Sequence, residues 1–480
     1  MTPMLLARAS ILIAALCILP AGASSLAAES SQVVKAPPAK TIDYDKLTQE
    51  VTDFLSKYIR INTTNPPGNE MEAAKFLKEK FLSEGIPATT WEPEPGRGNL
   101  AARLRGIGHG EKALVIQSHM DVVPANASEW HVPPFAGEVK DGAIWGRGSA
   151  DDKGPSVIAL MAMLAIKRAG ILLDRDIIFI ANGDEEVGGR IGAEWFTEHE
   201  KDIYADAGYV LNVDSGGVID LPDGKQFYSV DVTEKTPLWL RLTTTGTEGH
   251  ASAPPAQTAV TRLIGALARI DDYHPQIHVL GPVEDQFRAI AELEHGPKQY
   301  FDLAASLRDP TFAHDFLADP GHNASVRDTI APTVLQAGFK TNVLPLVATA
   351  EIDCRLLPER NQKEFLATIE KLINDKDVKV EVILQSPSAS SPSKSELMTA
   401  IEKLARKQDH APVVPGMTGG FTDARFFRKQ KLTTYSFTGV EFDPKKSVGV
   451  HGVDEHIEIK QVRQALERMV KLLQIFGKEK

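Results

Sequence analysis

Three short apolar runs, each closing on an acid or a histidine, constrain this chain more than any other feature. Ala113-Leu-Val-Ile116 leads into His119, Asp176-Ile-Ile-Phe-Ile180 into Glu185, and Tyr209-Val-Leu-Asn-Val213 into Asp214. Runs this short and rich in β-branched residues form strands buried on both faces of a parallel sheet. From Gly85 to about Val232 they alternate with helical patterns. One of these covers residues 155–169, with Pro155 at its start and Gly170 just past its end. The expected fold class is α/β, with a doubly wound, mostly parallel sheet. Loops of such sheets converge at the carboxyl ends of the strands, so His119, Glu185 and Asp214 should meet at one edge.

Ahead of the alternation, Val51, Phe54, Leu55, Tyr58 and Ile59 recur at helical spacing, and a second helix through Ala74, Leu77 and Phe81 ends at Gly85. From Leu238 the texture changes. Residues 238–245 alternate like a half-exposed strand and 256–270 read as a helix. Residues 343–356 give one or two strands, 363–373 a helix, and Val378, Val380, Val382 and Leu384 alternate again. That β-α-β-β-α-β order is the split, ferredoxin-like unit of a small antiparallel α+β domain. Residues 273–332 read as a helical insertion to which the sequence assigns no function. A Ser/Pro-rich linker at 386–393 returns the chain to α/β character, closing on a helix with Val462, Leu466, Met469, Val470 and Leu473 on one face. The expected organisation is a signal peptide over 1–28, a flexible leader over 29–41, the main domain over 42–236 and 389–480, and an inserted domain over 237–388.

A length of 480 residues suffices for two domains. The net charge of -11 argues against nucleic acid and anionic membrane surfaces, which select basic patches. A small molecule or peptide is the expected partner. Residues 11–19 are unbroken apolar, preceded by Arg8 and followed by Pro20-Ala-Gly-Ala23, which reads as a secretory signal cleaved after Ala23 or Ala28. The run is too short to span a bilayer. A retained anchor is the other reading; export to the periplasm or outside the cell, without a stable membrane span, is the expectation. The cysteines are Cys17 and Cys354. Loss of the signal leaves one, which excludes an internal disulfide and a thiolate metal site.

Acids and histidines cluster in five segments: His119-Met-Asp121, Asp151-Asp152-Lys153, Glu185-Glu186, Asp214 and His451. Zinc without thiolates takes imidazole nitrogen and carboxylate oxygen, and this set suffices for two ions, with cobalt or manganese as alternatives. His119 and Asp121 point the same way on an extended segment, so Asp121 can accept the far ring N–H of His119. Adjacent acids cannot both face one point, which suits Glu186 to a metal and Glu185 to moving the proton of the attacking water. Asp214 would complete one metal's ligands and His451 the other's. Each segment alone has a plainer reading, as a strand-end loop, a helix cap or solvated acids. Their joint placement after successive strands points to metal chemistry.

The motifs Ser118-His-Met-Asp-Val-Val-Pro124, Gly146-Arg-Gly-Ser-Ala-Asp-Asp-Lys-Gly-Pro155, Gly183-Asp-Glu-Glu-Val-Gly188, Gly246-Thr-Glu-Gly-His-Ala-Ser252, Thr341-Asn-Val-Leu-Pro345, Asp353-Cys-Arg-Leu-Leu-Pro358 and Val450-His-Gly-Val-Asp-Glu455 occur in this order. Together they resemble the dizinc metallopeptidase family of glutamate carboxypeptidase, acetylornithine deacetylase, succinyl-diaminopimelate desuccinylase and carnosinase. The resemblance implies that His119, Asp151 and Asp214 hold one zinc and Asp151, Glu186 and His451 the other, with Asp151 bridging. It implies Glu185 as general base, Asp121 as orienter, and a cis peptide between Asp151 and Asp152. The inserted domain would be a lid and a homodimer surface, with His250 stabilising the oxyanion, often from a partner subunit. Asn342 and Arg355 would hold a substrate carboxylate, a task suited to a bidentate guanidinium, although Arg355 in a surface ion pair and a purely structural His250 are the plainer readings. Gly419-Gly420-Phe-Thr-Asp423 resembles the family's Gly-rich substrate loop, in which Phe421 replaces the usual small residue. The implied function is a carboxypeptidase or dipeptidase that cleaves an amide near a free C-terminal carboxylate by a metal-bridging hydroxide. An N-acyl-amino-acid deacylase is the close alternative, and an inactive binding protein on the same fold the distant one.

Overall fold

The three apolar runs become the neighbouring parallel strands Ala113–His119, Ile177–Asn182 and Ala207–Asn212, with Thr433–Ser436 extending the parallel block. Antiparallel strands flank it, Arg97–Leu104 and Ala88–Glu94 on one side, Gln226–Glu234 and Gly217–Asp220 on the other. The computed structural model describes residues 39–108, 112–221, 223–294, 296–387, 389–443 and 449–478. The expected signal peptide lies outside the described residues. Among these, no helix is long and apolar enough to cross a membrane.

Alternation within each run divides two cores. Leu114, Ile116, Ile177, Phe179 and Leu211 face one layer; Ala113, Val115, Ile178, Ile180 and Val210 face the other. Because both faces are covered, the runs are continuously apolar rather than alternating. The helices Tyr44–Ile59, Lys153–Arg168 and Ile459–Gly477 supply Val51, Leu160 and Leu466 to the first layer. Lys153–Arg168 is buried from Lys153 to Ile166, which accounts for a sequence apolar all round.

An ionic cluster joins the first helices at their solvent side. Glu50 lies 2.7 Å from both Lys80 Nζ and Arg168 Nη1. The hydrogen bond from Arg168 holds its carboxyl down at about 2, below the ordinary 4.5. A depressed carboxylate contributes stability above its unfolded value and loses it as pH falls through the folded one. Arg168→Ala is therefore expected to cost about 1 kcal/mol at pH 7, a partly exposed pair being screened by solvent. Thermal melts should show the gap from wild type closing between pH 4.5 and 2; a gap constant across that window would assign the loss to packing of the arginine stem.

A second sheet has the order Thr329–Ala337, Val347–Leu356, Thr236–Thr245, Val378–Gln385, antiparallel throughout. The helices Ala259–Asp271 and Gln362–Ile373 close its core, placing Leu263 and Ile369 among Leu240, Leu242 and Ile352. The β-α-β-β-α-β order is present, but its second strand starts at Thr329, inside the stretch read as insertion. Residues 343–356 supply the third strand and a short partner, Val343–Leu344, for Gly249–His250. The insertion itself is helical, with Gly281–Glu294, Pro310–Ala318 and Pro320–Val326 around Phe287, Leu303 and Phe316. Met417, on the strand Val413–Thr418, packs against this small core.

Candidate metal centre

His119 is the last residue of its strand, Glu185 and Glu186 follow Ile177–Asn182 by a short turn, and Asp214 lies two residues past Ala207–Asn212. The carboxyl edge of the parallel block thus gathers them. Asp151 enters from the loop before Lys153–Arg168, and its peptide bond to Asp152 is cis, as the resemblance implies. Asp151 Oδ1 lies 3.0 Å from His119 Nε2, which is 3.8 Å from Asp214 Oδ1. Asp151 Oδ2 lies 3.3 Å from His451 Nε2, which is 3.2 Å from Glu186 Oε2. One carboxylate therefore faces a histidine–acid pair with each of its oxygens.

Asp121 acts differently from the sequence expectation. His119 Nδ1 is 3.0 Å from the main-chain carbonyl of Asp121 and 3.5 Å from its carboxylate, so the carbonyl is the closer acceptor. The carboxylate instead accepts the main-chain N–H groups of Glu185 at 3.0 Å and Glu186 at 3.1 Å, and Asn65 Nδ2 at 2.8 Å. Through its carbonyl and its carboxylate Asp121 thus touches the histidine and the backbone of both glutamates.

Burial pushes the Glu185 and Asp214 carboxyls up, Glu185 well above the ordinary range, and like-charged neighbours add to this. Burial and the Asp151 charge push Glu186 up to about 7. Hydrogen bonds to Asp151 and Glu186 raise His451 to about 10. Glu185 Oε1 and Asp214 Oδ2 are buried without a hydrogen-bond partner. Unpartnered buried carboxylate oxygens are costly unless a cation meets them. His119, Asp151 and Glu186, and likewise His119, Glu185 and Asp214, present ligand atoms within 4.8 Å of one another. Oxygen and imidazole donors in this density fit divalent cations.

A cavity of about 450 Å³ opens over the cluster, walled on its far side by Trp239, Arg355, Gly420 and Phe421. Two guanidinium groups lie over the Phe421 ring, Arg355 Cζ 4.7 Å and Arg425 Cζ 4.6 Å from its centroid. Arg355 lines this cavity, but most of its fork is already engaged. Nε and Nη2 donate to Asp353, two residues along the same strand, at 2.8 and 3.0 Å, leaving Nη1 as the end not engaged by it.

His250 and Asn342 are not brought to the cluster within one chain. Both are exposed on the ribbon that pairs Gly249–His250 with Val343–Leu344, where Asn342 O accepts the N–H of Ala251 at 3.1 Å. The register explains the separation. Thr236 pairs with Leu356 at the cavity end of the second sheet and Thr245 with Val347 at the other, and ten residues of strand span about 30 Å. Arg355 belongs to the first end and the ribbon to the second.

Sequence reading gave no role to two further buried groups near the cluster. Asp423 accepts from Gln117 Nε2 at 3.1 Å, and Arg425 Nη1 lies 3.7 Å from Glu185 Oε1. Asp423 closes the Gly419–Asp423 loop and Arg425 lies two residues past it, and that position was the available signal.

A mostly parallel α/β sheet with this cluster over its carboxyl edge defines a metal-dependent hydrolase of C–N bonds. The chain belongs to Peptidase family M20/M25/M40, whose sequence pattern matches residues 115–475. It is 29% identical over 442 residues to the N-fatty-acyl-amino acid synthase/hydrolase PM20D1 of Xenopus tropicalis, covering 90% of this chain and 86% of that one. It is 27% identical over 455 residues to a probable carboxypeptidase S-like 2 of Dictyostelium discoideum, covering 91% and 83%. In fold it is similar to the M20 family metallo-carboxypeptidase Sso-CP2 from Sulfolobus solfataricus, with a TM-score of 0.70 at 18% identity, covering 91% of this chain and all of that one.

Proposed function

We propose that this protein is a two-metal exopeptidase cleaving an amide bond beside a free C-terminal carboxylate. His119, Asp151 and Asp214 would hold one cation and Asp151, Glu186 and His451 the other. The observation carrying this reading is the division of Asp151, whose two oxygens each face a separate histidine. Zinc, cobalt or manganese bound there would polarise the scissile carbonyl and lower the pKa of a water from 15.7 to about 7. Glu185 takes the proton of the attacking water and delivers it to the leaving nitrogen. Arg355 meets the substrate carboxylate with its Nη1 end, backed by Asp353.

The sheet over residues 237–388 serves as lid and dimerisation surface in this reading. Its edge strand Thr329–Ala337 and the turn after it expose Leu335 by 63% and Phe339 by 86%, which supports burial against a second copy. The ribbon far from its own cavity would then supply His250 and Asn342 to the partner's. Export by the N-terminal segment belongs to the same proposal.

The apolar wall of Trp239 and Phe421, with the likeness to an N-fatty-acyl-amino acid synthase/hydrolase, favours a second reading, hydrolysis of N-acyl amino acids. Both readings require a free carboxylate. The test compares a dipeptide, its C-terminal amide and the N-acyl form of the same terminal residue, with and without chelator. A charge-assisted hydrogen bond contributes about 1.5–3 kcal/mol, so the amide should lose roughly 10–150-fold in kcat/KM. Equal cleavage of amide and acid would remove Arg355 from its role, and the faster of the two acids decides between peptidase and deacylase.

A further inference from the structure

Glu455 shares a motif with His451, yet its side chain serves a different loop. It is fully buried. Its Oε1 accepts the main-chain N–H groups of Gly148 at 3.0 Å, Ala150 at 2.8 Å and Asp151 at 3.1 Å, and its Oε2 accepts Arg147 Nη1 at 2.7 Å. Arg147 answers across the same gap, with Nη2 donating to Gly452 O at 2.7 Å. The N–H of Gly146 donates to Glu455 O at 2.8 Å.

These bonds stitch together two loops whose residues Asp151 and Glu455 are 304 positions apart. One loop carries Asp151 and the other His451, whose Oδ2 and Nε2 atoms lie 3.3 Å apart. His451 exposes 55% of its side chain, so packing around the ring does not fix it. The loop does, and the loop is anchored through Glu455. Successive main-chain N–H groups curved around one point form an anion-binding concavity. Here the anion is a carboxylate of the chain itself, and each bond is charge-assisted.

We propose that Glu455 is a positioning residue that sets the separation of Asp151 and His451 and thereby the affinity of the cation site formed by Asp151, Glu186 and His451. The inference rests on the metal reading above. A glutamine offers one acceptor oxygen and turns an NH₂ donor toward Arg147 or the main-chain donors. An aspartate keeps the charge but is one methylene shorter, so it cannot hold all of the bonds to the loop of Arg147 to Asp151.

Metal-free wild type, Glu455→Asp and Glu455→Gln would be titrated with Zn²⁺ against a chromophoric chelator, and their Co²⁺ forms compared by visible absorption. Wild type is expected to bind two ions per chain. Loss of a supporting partner around a metal ligand typically weakens affinity about 10–100-fold, so Glu455→Asp should weaken one site by that factor and leave the other within about 2-fold. Its cobalt bands should shift, and kcat should fall at unchanged KM. Two sites of wild-type affinity with superimposable cobalt spectra would overturn the positioning role. So would loss of fold in both variants, which would make Glu455 a structural ion pair. A wild-type chain that bound no metal would instead overturn the metal reading itself.

Discussion

Glu185→Ala is expected to lower kcat by about 10²–10⁴-fold, the usual contribution of a positioned proton-transfer group, while metal content and unfolding temperature stay near those of wild type. The backbone at this position is fixed independently of the side chain, because Asp121 Oδ1 accepts the Glu185 N–H at 3.0 Å. The side chain itself has an unpartnered, buried Oε1, with Arg425 Nη1 3.7 Å away. Its removal takes away a buried carboxylate rather than breaking a satisfied one, so folding should tolerate it. Steady-state kinetics and metal analysis on one preparation check this. The same residue shares a candidate ligand group with His119 and Asp214. Loss of metal together with turnover would make Glu185 a ligand, and unchanged turnover would remove it from the chemistry.

The parallel block was legible because Ile177, Phe179 and their neighbours Ile178 and Ile180 must all be apolar when both faces are covered. The strand Thr329–Ala337 was not. It is an edge strand with Pro332, a register shift between Pro332 and Val334, and exposed residues along most of its length, so neither alternation nor a continuous run marks it. Local motifs named His119, Asp151, Glu185, Glu186 and Asp214, whose donor atoms the structure gathers into two close groups. What they did not contain was register. The Asp353–Arg355 bond follows from two residues on one face of a strand, and it engages Nε and Nη2 of the fork, so that only Nη1 is left clear of Asp353. The distance between Arg355 and the His250 ribbon is likewise a property of the ten-residue pairing between Thr236–Thr245 and Val347–Leu356. Glu455 stood in a motif already singled out, but apart from Arg147 its partners are main-chain N–H groups of another loop, and no side-chain pattern encodes those.

On the two-metal reading proposed above, Asp151→Asn should remove both cations at once, which no other single substitution in the cluster is expected to do. The variant keeps the volume of the side chain and the N–H from Asp151 to Glu455 at 3.1 Å, so the loop should retain its course. It replaces one of two oxygens by an NH₂ group, and each oxygen now faces a histidine nitrogen, at 3.0 Å for His119 and 3.3 Å for His451. Whichever way the amide turns, one side presents a donor where a cation requires a lone pair, and the shared negative charge is gone for both. Affinity should fall by at least about 10²-fold at each site, more than loss of a supporting partner causes. Metal polarisation would take several kcal/mol off the barrier, so its loss should lower turnover by about 10³-fold or more. Calorimetric titration of the metal-free variant with Zn²⁺ measures the first effect directly. Retention of one site at wild-type affinity would mean that Asp151 serves a single cation, and the division of its oxygens between two histidines would then describe hydrogen bonding alone.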